Sequence, residues 1–466
     1  MLRLGCGAGF SSDRLEPAID LARDGRLDYL VFETIGERTL AFGHRDRKLD
    51  PKRGYNPQLA ARMRGVLAHC RANKTRIVTN MGVANVAAAA GVTIAIAREL
   101  GLNGLKVAIV EGDDVTSMMT PATVLFDHGN RTIAEVGRPV VGANVYLGID
   151  AILPALETGA DVVITGRVAD PSLFLAPLVH HYGWRLDDWP MLGRGTLAGH
   201  LMECGMQITG GYFADPGFKD VPRAADCGFP IAEVAADGTM TITKLASAGG
   251  MVSTRTVKEQ LLYEVHDPSA YLTPDVTADF SGVRIADRGQ NRVEVSGASG
   301  TTRPQTLKVT VGFDGGYLGE GGISYAGPNA VARATLARDI LAERLGRHAG
   351  FAGNLRLDLI GVDSLHATAS TPGGHLSARS TASAPGGRLP AGESPGATNR
   401  DIRVRVAMRS ADRSAIETML WEVESLLCCG PAGGGGYRGQ ISPSVITHSA
   451  LIDRSLISPT VKVFVA

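Results

Sequence analysis

Short apolar, β-branched runs recur along the first third of the chain, each followed by glycine or polar residues and then by a helix-length stretch. The runs fall at 2–4, 29–32, 76–78, 106–110 and 162–164. From the second onward they show little polar alternation, the signature of strands buried on both faces. Helices are predicted over 15–23, from Asn56 to 71 and from Asn85 to 100. Asp13 is expected to cap the first, Asn56 caps the second with Pro57 at its first position, and Asn85 opens an alanine-rich third. A charged loop is expected over 45–53. This alternation predicts an α/β domain built on a parallel sheet with right-handed crossovers and helices on both faces. A doubly wound sheet is the first reading and a barrel variant the second.

The pattern then changes. Residues 228–243 read as a hairpin turning at Ala236-Asp237-Gly238, 254–262 as a helix, and 276–295 as short antiparallel strands. From 306 onward a strand over 307–313, a helix over 328–345 and a strand over 355–360 precede a second set: strand 401–408, helix 414–427 and strand 461–465. Two β-α-β units in succession predict an α+β, ferredoxin-like domain. Between them, 366–399 is rich in Gly, Pro, Ser and Ala and reads as a long loop, mobile or ordered only by a ligand or partner. Two domains follow: 1–305, with a β-rich extension over 212–305, and 306–466.

Charge narrows the function classes. Lys plus Arg and Asp plus Glu both number 47, so the 466-residue chain has no formal net charge, which argues against nucleic-acid binding and gives no reason for a membrane-surface role. No apolar run reaches the roughly 20 residues of a spanning helix. Met1 leads straight into a strand-like run, so the cytoplasm is the expected location. The six cysteines show no C-x-x-C spacing, and no metal site is expected.

Candidate chemistry gathers where the predicted strands end, the place ligands occupy in open α/β sheets. The fifth strand runs into Thr165-Gly166-Arg167-Val168-Ala169-Asp170. Arg167 there can clamp a carboxylate or phosphate, or can simply pair with Asp170 to hold the loop. His200, Glu203 and Cys204 share one face of the next helical stretch at spacings of three and four. Glu203 lies among apolar neighbours, and burial would lift its carboxyl into the range of a general acid or base with His200 as partner. Cys204 reads either as a nucleophile or as a small buried residue. His180-His181 reads as a helix end rather than a metal pair. Other strand ends supply Gly7, Gly9, Glu33, Asn80, Gly82, Glu111 and Asp113 as candidate ligand contacts, with plain turn residues as the competing explanation. Gly7-x-Gly9-x-x-Ser12 departs from the dinucleotide fingerprint, so NAD is not the expected cofactor. Gly433 and Gly434 lie in a glycine run that either connects elements or lets backbone N–H groups approach a ligand.

Several of these stretches together resemble a known family. Thr165–Asp170 is one; Gly199-His200-Leu201-Met202-Glu203-Cys204-Gly205 and Thr209-Gly210-Gly211-Tyr212-Phe213 are others. Glu259-Gln260-Leu261-Leu262-Tyr263-Glu264, Tyr271-Leu272-Thr273-Pro274-Asp275-Val276 and Gly430-Pro431-Ala432-Gly433-Gly434-Gly435 complete the set. They are similar to the acyclic terpene utilisation family, the AtuA family, over nearly the whole chain. The resemblance implies a place beside the breakdown of citronellol and geraniol through acyl-CoA thioesters, in the company of a biotin-dependent carboxylase, a hydratase and a dehydrogenase. It also implies association with a ferredoxin-fold module, and it carries over no established catalytic residue. The expectation is a catabolic enzyme moving protons on a small carboxylate or acyl-CoA, as a lyase, hydratase or isomerase. Glu203, His200, Asp170 and Cys204 are its candidate catalytic residues, and a homo-oligomer is the expected assembly. The alternatives are a non-catalytic subunit partnering a carboxylase-type complex and a nicotinamide enzyme.

Overall fold

A computed structural model describes residues 1–348, 350–351, 354–364 and 401–466. The loop expected over 366–399 lies outside the described residues. The chain divides into two units, 1–313 with 447–466 and 314–446.

The first unit is built on a ten-stranded sheet. Its centre is five parallel strands in the spatial order Leu2–Ala8, Tyr29–Phe32, Arg76–Thr79, Val162–Thr165, Lys106–Glu111. The fifth strand in sequence is thus inserted between the third and fourth, and its C-terminal end is flanked by theirs. Leu30, Phe32, Ile77, Val107, Ile109, Val162 and Ile164 share one core with the helices Glu16–Asp24, Leu59–Asn73 and Val86–Glu99. The intervening Val31, Val78, Ala108, Val110 and Val163 are equally buried and point the other way. The helices Ile149–Glu157, Ser172–Tyr182 and Trp189–Glu203 pack against that side of the strands. Burial on both faces is why these strands read as continuous apolar runs.

The sheet is mixed where a wholly parallel one was expected. Pro230–Val234 pairs antiparallel with the first strand and continues into Met240–Lys244, Val293–Ser296 and Arg284–Asp287. The hairpin turns where the sequence places it, with Gly238 at φ +81°. At the other edge Thr460–Val465 pairs antiparallel with Lys106–Glu111. That strand was expected to close the second domain; its alternating pattern does not say which sheet it joins. Residues 37–49, partly expected as a charged loop, form the helix Glu37–Leu49, which buries Leu40, Ala41 and His44 under a charged outer face. The strand Val140–Val145, to which the sequence pattern gave no element, pairs antiparallel with Val309–Phe313.

In the second unit the strand order is Leu355–Ile360, Asp401–Ser410, residues 314–326 of the strand Thr306–Ala326, and residues 435–446 of the strand Gly435–Asp453. Alternate residues Ile402, Val404, Val406 and Met408 meet Ala334, Ala337 and Leu341 of Ala330–Gly346 and Ile416, Met419 and Val423 of Arg413–Cys429, so both helices cover one face. The last strand is Gly435–Asp453 rather than 461–465. Its glycines and Pro443 disguise it, and an edge position tolerates both.

Candidate functional site

Within the first unit a cavity of about 580 Å³ opens beyond the C-terminal ends of the Leu2–Ala8, Tyr29–Phe32 and Val162–Thr165 strands. Its walls carry the carboxyls of Glu33, Glu37, Asp170, Glu203 and Glu264 and the guanidinium of Arg167. The position follows from the sheet, since parallel strands leave their crevice at the carboxyl ends.

Arg167 is held from several sides. Its backbone N–H donates to Asp113 Oδ2 at 2.7 Å, an oxygen that also accepts from Asn144 Nδ2 at 2.8 Å. Its Nη1 donates to the carbonyl of Ile35 at 2.5 Å, and its Nη2 lies 3.2 Å from Asp170 Oδ1. The guanidinium carbon stacks 3.9 Å from the centre of the Tyr146 ring, a geometry that strengthens when water is excluded. The side chain is 3% exposed, and its Nε is buried without a hydrogen-bond partner. Burial works against the charge, but Asp170, Tyr146, Glu37 and Glu33 outweigh it and keep the group charged.

The helix Trp189–Glu203 brings the second part of the site. It starts at Asp188, whose side chain accepts from Met191 N–H. A Cβ on Gly199 would lie 2.5 Å from the carbonyl oxygen of Pro171, so the glycine lets this helix lie against the turn that carries Asp170. His200 Nδ1 lies 3.0 Å from Glu203 Oε1, and His200 Nε2 lies 3.3 Å from the carbonyl oxygen of Leu261. A carbonyl only accepts, so Nε2 carries the proton and Nδ1 presents a lone pair, a tautomer assigned from the hydrogen-bond network. Glu203 must then supply the hydrogen of the pair. The electrostatics agree: burial brings His200 down to about 4. Burial, then Asp170 and Glu264, push Glu203 well above the usual carboxylate range, against the pull of Arg167. Glu203 Oε2 is buried and has no hydrogen-bond partner.

Two further acids show how surroundings separate like groups. Glu33 Oε1 accepts from Ile35 N–H at 2.8 Å and from Asn80 Nδ2 at 3.0 Å, yet burial and Asp170 still raise it. Burial also pushes Glu37 up, but Arg167, Lys308 and a 2.8 Å bond from the Tyr146 hydroxyl prevail and bring it down to about 2.

The structure thus gathers Arg167, Asp170, Glu203, Cys204, Glu33 and Gly9 around one cavity, with His200 behind Glu203 and Asn80 behind Glu33. It separates others from it. Glu111 and Asp113 line a smaller cavity of about 200 Å³ with Arg47, Asn85 and Asn144. Gly7 lies inside the first strand, which runs on to Ala8, and a Cβ there would meet the Phe32 ring. The N–H of Gly9, expected to face a ligand, donates to Asp13 at 2.8 Å, so Asp13 holds this loop instead of capping the helix that follows. A Cβ on Gly9 would lie 2.3–2.5 Å from the backbone of residues 203–205. Gly82 packs against Thr165, to whose carbonyl its N–H donates. Gly433 and Gly434 belong to the second unit, beside Arg333 and Tyr325. Burial and Glu203 push the Cys204 thiol up, the reverse of an activated nucleophile.

Glu37, Glu264, Tyr146 and Tyr263 belong to the site and were not singled out from the sequence. Glu264 ends the 259–264 stretch and holds φ +58°, an uncommon backbone state for a non-glycine residue that concentrates at functional positions. Another cavity of about 470 Å³, between Arg14 and Ala248, differs in kind: of its three acids, Asp20 and Asp226 are ion-paired with Arg23 and Arg223 at the surface, and Glu16 lies in the first turn of the Glu16–Asp24 helix.

A mixed α/β sheet with an acid-lined crevice at its strand ends defines the class of this protein. The chain belongs to the family described as acyclic terpene utilisation family protein AtuA, whose model matches residues 2–463. Membership ties it to acyclic terpene utilisation and bears out the resemblance read from its motifs. No curated protein and no solved structure matches the chain. Among the described residues no helix is long and apolar enough to cross a membrane.

Proposed function

We propose that the chain is an enzyme of acyclic terpene breakdown that moves a proton on a carboxylate or acyl-CoA substrate, as a lyase, hydratase or isomerase. One observation carries the reading: the neutral Glu203–His200 pair opens on the same cavity as the charged Asp170–Arg167 pair. Glu203, kept protonated, is the general acid; Asp170, the less raised of the two, is the carboxylate that accepts a proton. His200 positions Glu203 by accepting its hydrogen; burial raises Asp170, and Arg167 pulls it back toward the ionised form. Glu203 gives its proton to a substrate carbon or oxygen and Asp170 takes one from the substrate; Asp170 then loses its proton to solvent and Glu203 regains one from solvent, which restores both starting states. The helices on both sheet faces support a doubly wound reading of the first unit, and the strand order of the second supports a ferredoxin-like module.

The test is solvent deuterium exchange into candidate thioesters and acids, read by mass spectrometry, for the wild type and Glu203→Gln. Exchange that the substitution abolishes supports the reading; exchange that survives it removes Glu203 from the mechanism. A wild type that binds such compounds without exchange is the result expected of the alternative, a non-catalytic subunit of a carboxylase-type complex.

A further inference from the structure

From the way Glu33 is held we infer a further catalytic residue: Glu33 turns the O–H of its Oε2 to the cavity and donates a hydrogen bond to the substrate's carbonyl oxygen, while Asp170 takes a proton from the adjacent carbon. The inference rests on the reaction proposed above and adds a group to it.

The frame around Glu33 decides which oxygen carries the hydrogen. Glu33 follows the Tyr29–Phe32 strand, and its backbone N–H donates to the carbonyl of Ala8 at 2.9 Å. Among the described residues both hydrogen bonds of its carboxyl fall on Oε1, from Ile35 N–H at 2.8 Å and Asn80 Nδ2 at 3.0 Å. The Asn80 amide is fixed in turn: its Oδ1 accepts from Thr34 N–H at 2.8 Å, so its nitrogen faces Glu33. With Oε1 accepting from two N–H groups, the hydrogen of the neutral acid sits on Oε2, a placement assigned from the hydrogen-bond network. Ile35 ties this acid to the guanidinium, since its N–H reaches Glu33 and its carbonyl accepts from Arg167 Nη1.

Glu33 lines the cavity and is buried. Burial, then the charge of Asp170, favour its neutral form against the pull of Arg167. Asp170 does not take the hydrogen: its Oδ1 has no hydrogen-bond partner, and its Oδ2 accepts from Arg167 Nη2 at 3.4 Å. The hydrogen of Glu203 lies against His200 Nδ1 in the resting site, so Glu33 is the acid with an O–H to offer a ligand. Asp113 is bonded in the same manner but lies away from this cavity, its carboxyl packed against Gly166.

When Asp170 removes the proton, the C–H electron pair forms the new C=C bond and the carbonyl π pair moves onto oxygen. Glu33 donates to that oxygen and keeps its own proton, so the step needs no further reactant. A fixed donor counts most where charge develops, and a carboxylic acid kept neutral by its surroundings can supply one.

The experiment reads the infrared carbonyl stretch of a bound probe, the N-acetylcysteamine thioester of 3-methylbutanoic acid isotope-labelled at the carbonyl carbon. The proteins are the wild type, Glu33→Gln, Glu33→Met and Glu203→Gln. The stretch is expected at lower frequency in the wild type than in Glu33→Met, which removes the donor and is expected to lower deuterium exchange about 10²–10³-fold. Glu33→Gln keeps the acceptor for Ile35 and Asn80 and turns an N–H to the cavity, so part of the shift is expected to remain. Glu203→Gln is expected to keep the shift and lose exchange. A stretch that is the same in the wild type and Glu33→Met overturns the inference, and so does a probe that does not bind. If Glu33→Met does not fold, Glu33→Gln decides, and a shift equal to that of the wild type overturns it. The shift is read without turnover, so a shift that depends on Glu33 in a protein that exchanges no deuterium refutes the proposed proton transfer and leaves Glu33 as the carbonyl donor.

Discussion

Asp113 and Glu203 are both buried acids of the first unit, and their surroundings treat them in opposite ways. Asp113 Oδ2 accepts two strong hydrogen bonds, from Arg167 N–H and Asn144 Nδ2. Asp275 is held likewise, by Ile149 N–H at 2.7 Å and the Ser172 hydroxyl at 2.5 Å. Burial raises both, and their donors limit the rise to about 6. Glu203 has no donor; its partner His200 offers it a lone pair, and its second oxygen has nothing. A buried acid with its acceptors filled is a strut. One whose hydrogen is held by a histidine lone pair and whose second oxygen stands unpartnered beside a cavity is equipped for proton chemistry.

The largest effect that tests this contrast is on turnover. Glu203→Gln is expected to lower deuterium exchange by about 10²–10⁴-fold with little loss of melting temperature, since the amide still donates to His200. Asp113→Ala is expected to act on stability instead. It strands the Arg167 N–H and the Asn144 amide, at about 1–3 kcal/mol for each unpaired group, read by urea denaturation. If the two substitutions exchange effects, the strut and the acid have been misassigned.

Acidity sharpens the same comparison. Asp113 and Asp275 sit at about 6 when folded against about 4 unfolded, so the folded chain holds more protons across that window and stability falls as pH rises through it. Burial raises Glu33 and Glu203 well above the usual carboxylate range and adds to the decline. His200, lowered by burial to about 4, opposes them: its contribution grows as pH rises from about 4 to about 6.5. The acids prevail, so the wild type is expected to lose stability from about pH 4 to about pH 6. Asp275→Asn is expected to flatten that slope by about 2–3 kcal/mol, measured as urea midpoints at the two ends. An unaltered slope means Asp275 titrates normally.

A smaller effect is expected from Gly9→Ala. Its Cβ would collide with the backbone that follows Glu203, an overpacking cost of about 1–3 kcal/mol. Because the collision is at the end of the Trp189–Glu203 helix, exchange activity should fall along with stability, whereas Gly7→Ala, against the Phe32 ring, should lower stability alone.

Much of the architecture was readable along the chain, for physical reasons. Tyr29–Phe32, Lys106–Glu111 and Val162–Thr165 are buried on both faces, so their composition alone marks them. The Pro230–Val234 and Met240–Lys244 hairpin announces itself through Asp237-Gly238. What escaped was hidden by chemistry at individual positions. Glu37–Leu49 has a charged face that resembles a loop. Val140–Val145 contains Gly142 and Asn144, which pack against and bond to His44. In the site, Arg167, Asp170, His200 and Glu203 were visible because the chain supplies them close together at a strand end and on one helical turn. Glu37 and Tyr146 arrive from distant segments, and nothing local distinguishes them from surface residues; Glu264 lies in the quoted 259–264 stretch, which by itself gave it no role. Arg167 was seen, but its commitment to Ile35, Asp170 and Tyr146 exists only in three dimensions.

The most direct measurement is the protonation state of Glu203 in the free protein, read as the infrared difference spectrum between the wild type and Glu203→Gln at neutral pH. The expected difference is the loss of a protonated carboxylic acid carbonyl band. Loss of the paired carboxylate bands instead would show Glu203 ionised beside a protonated His200, and the assignment of acid and base would be wrong.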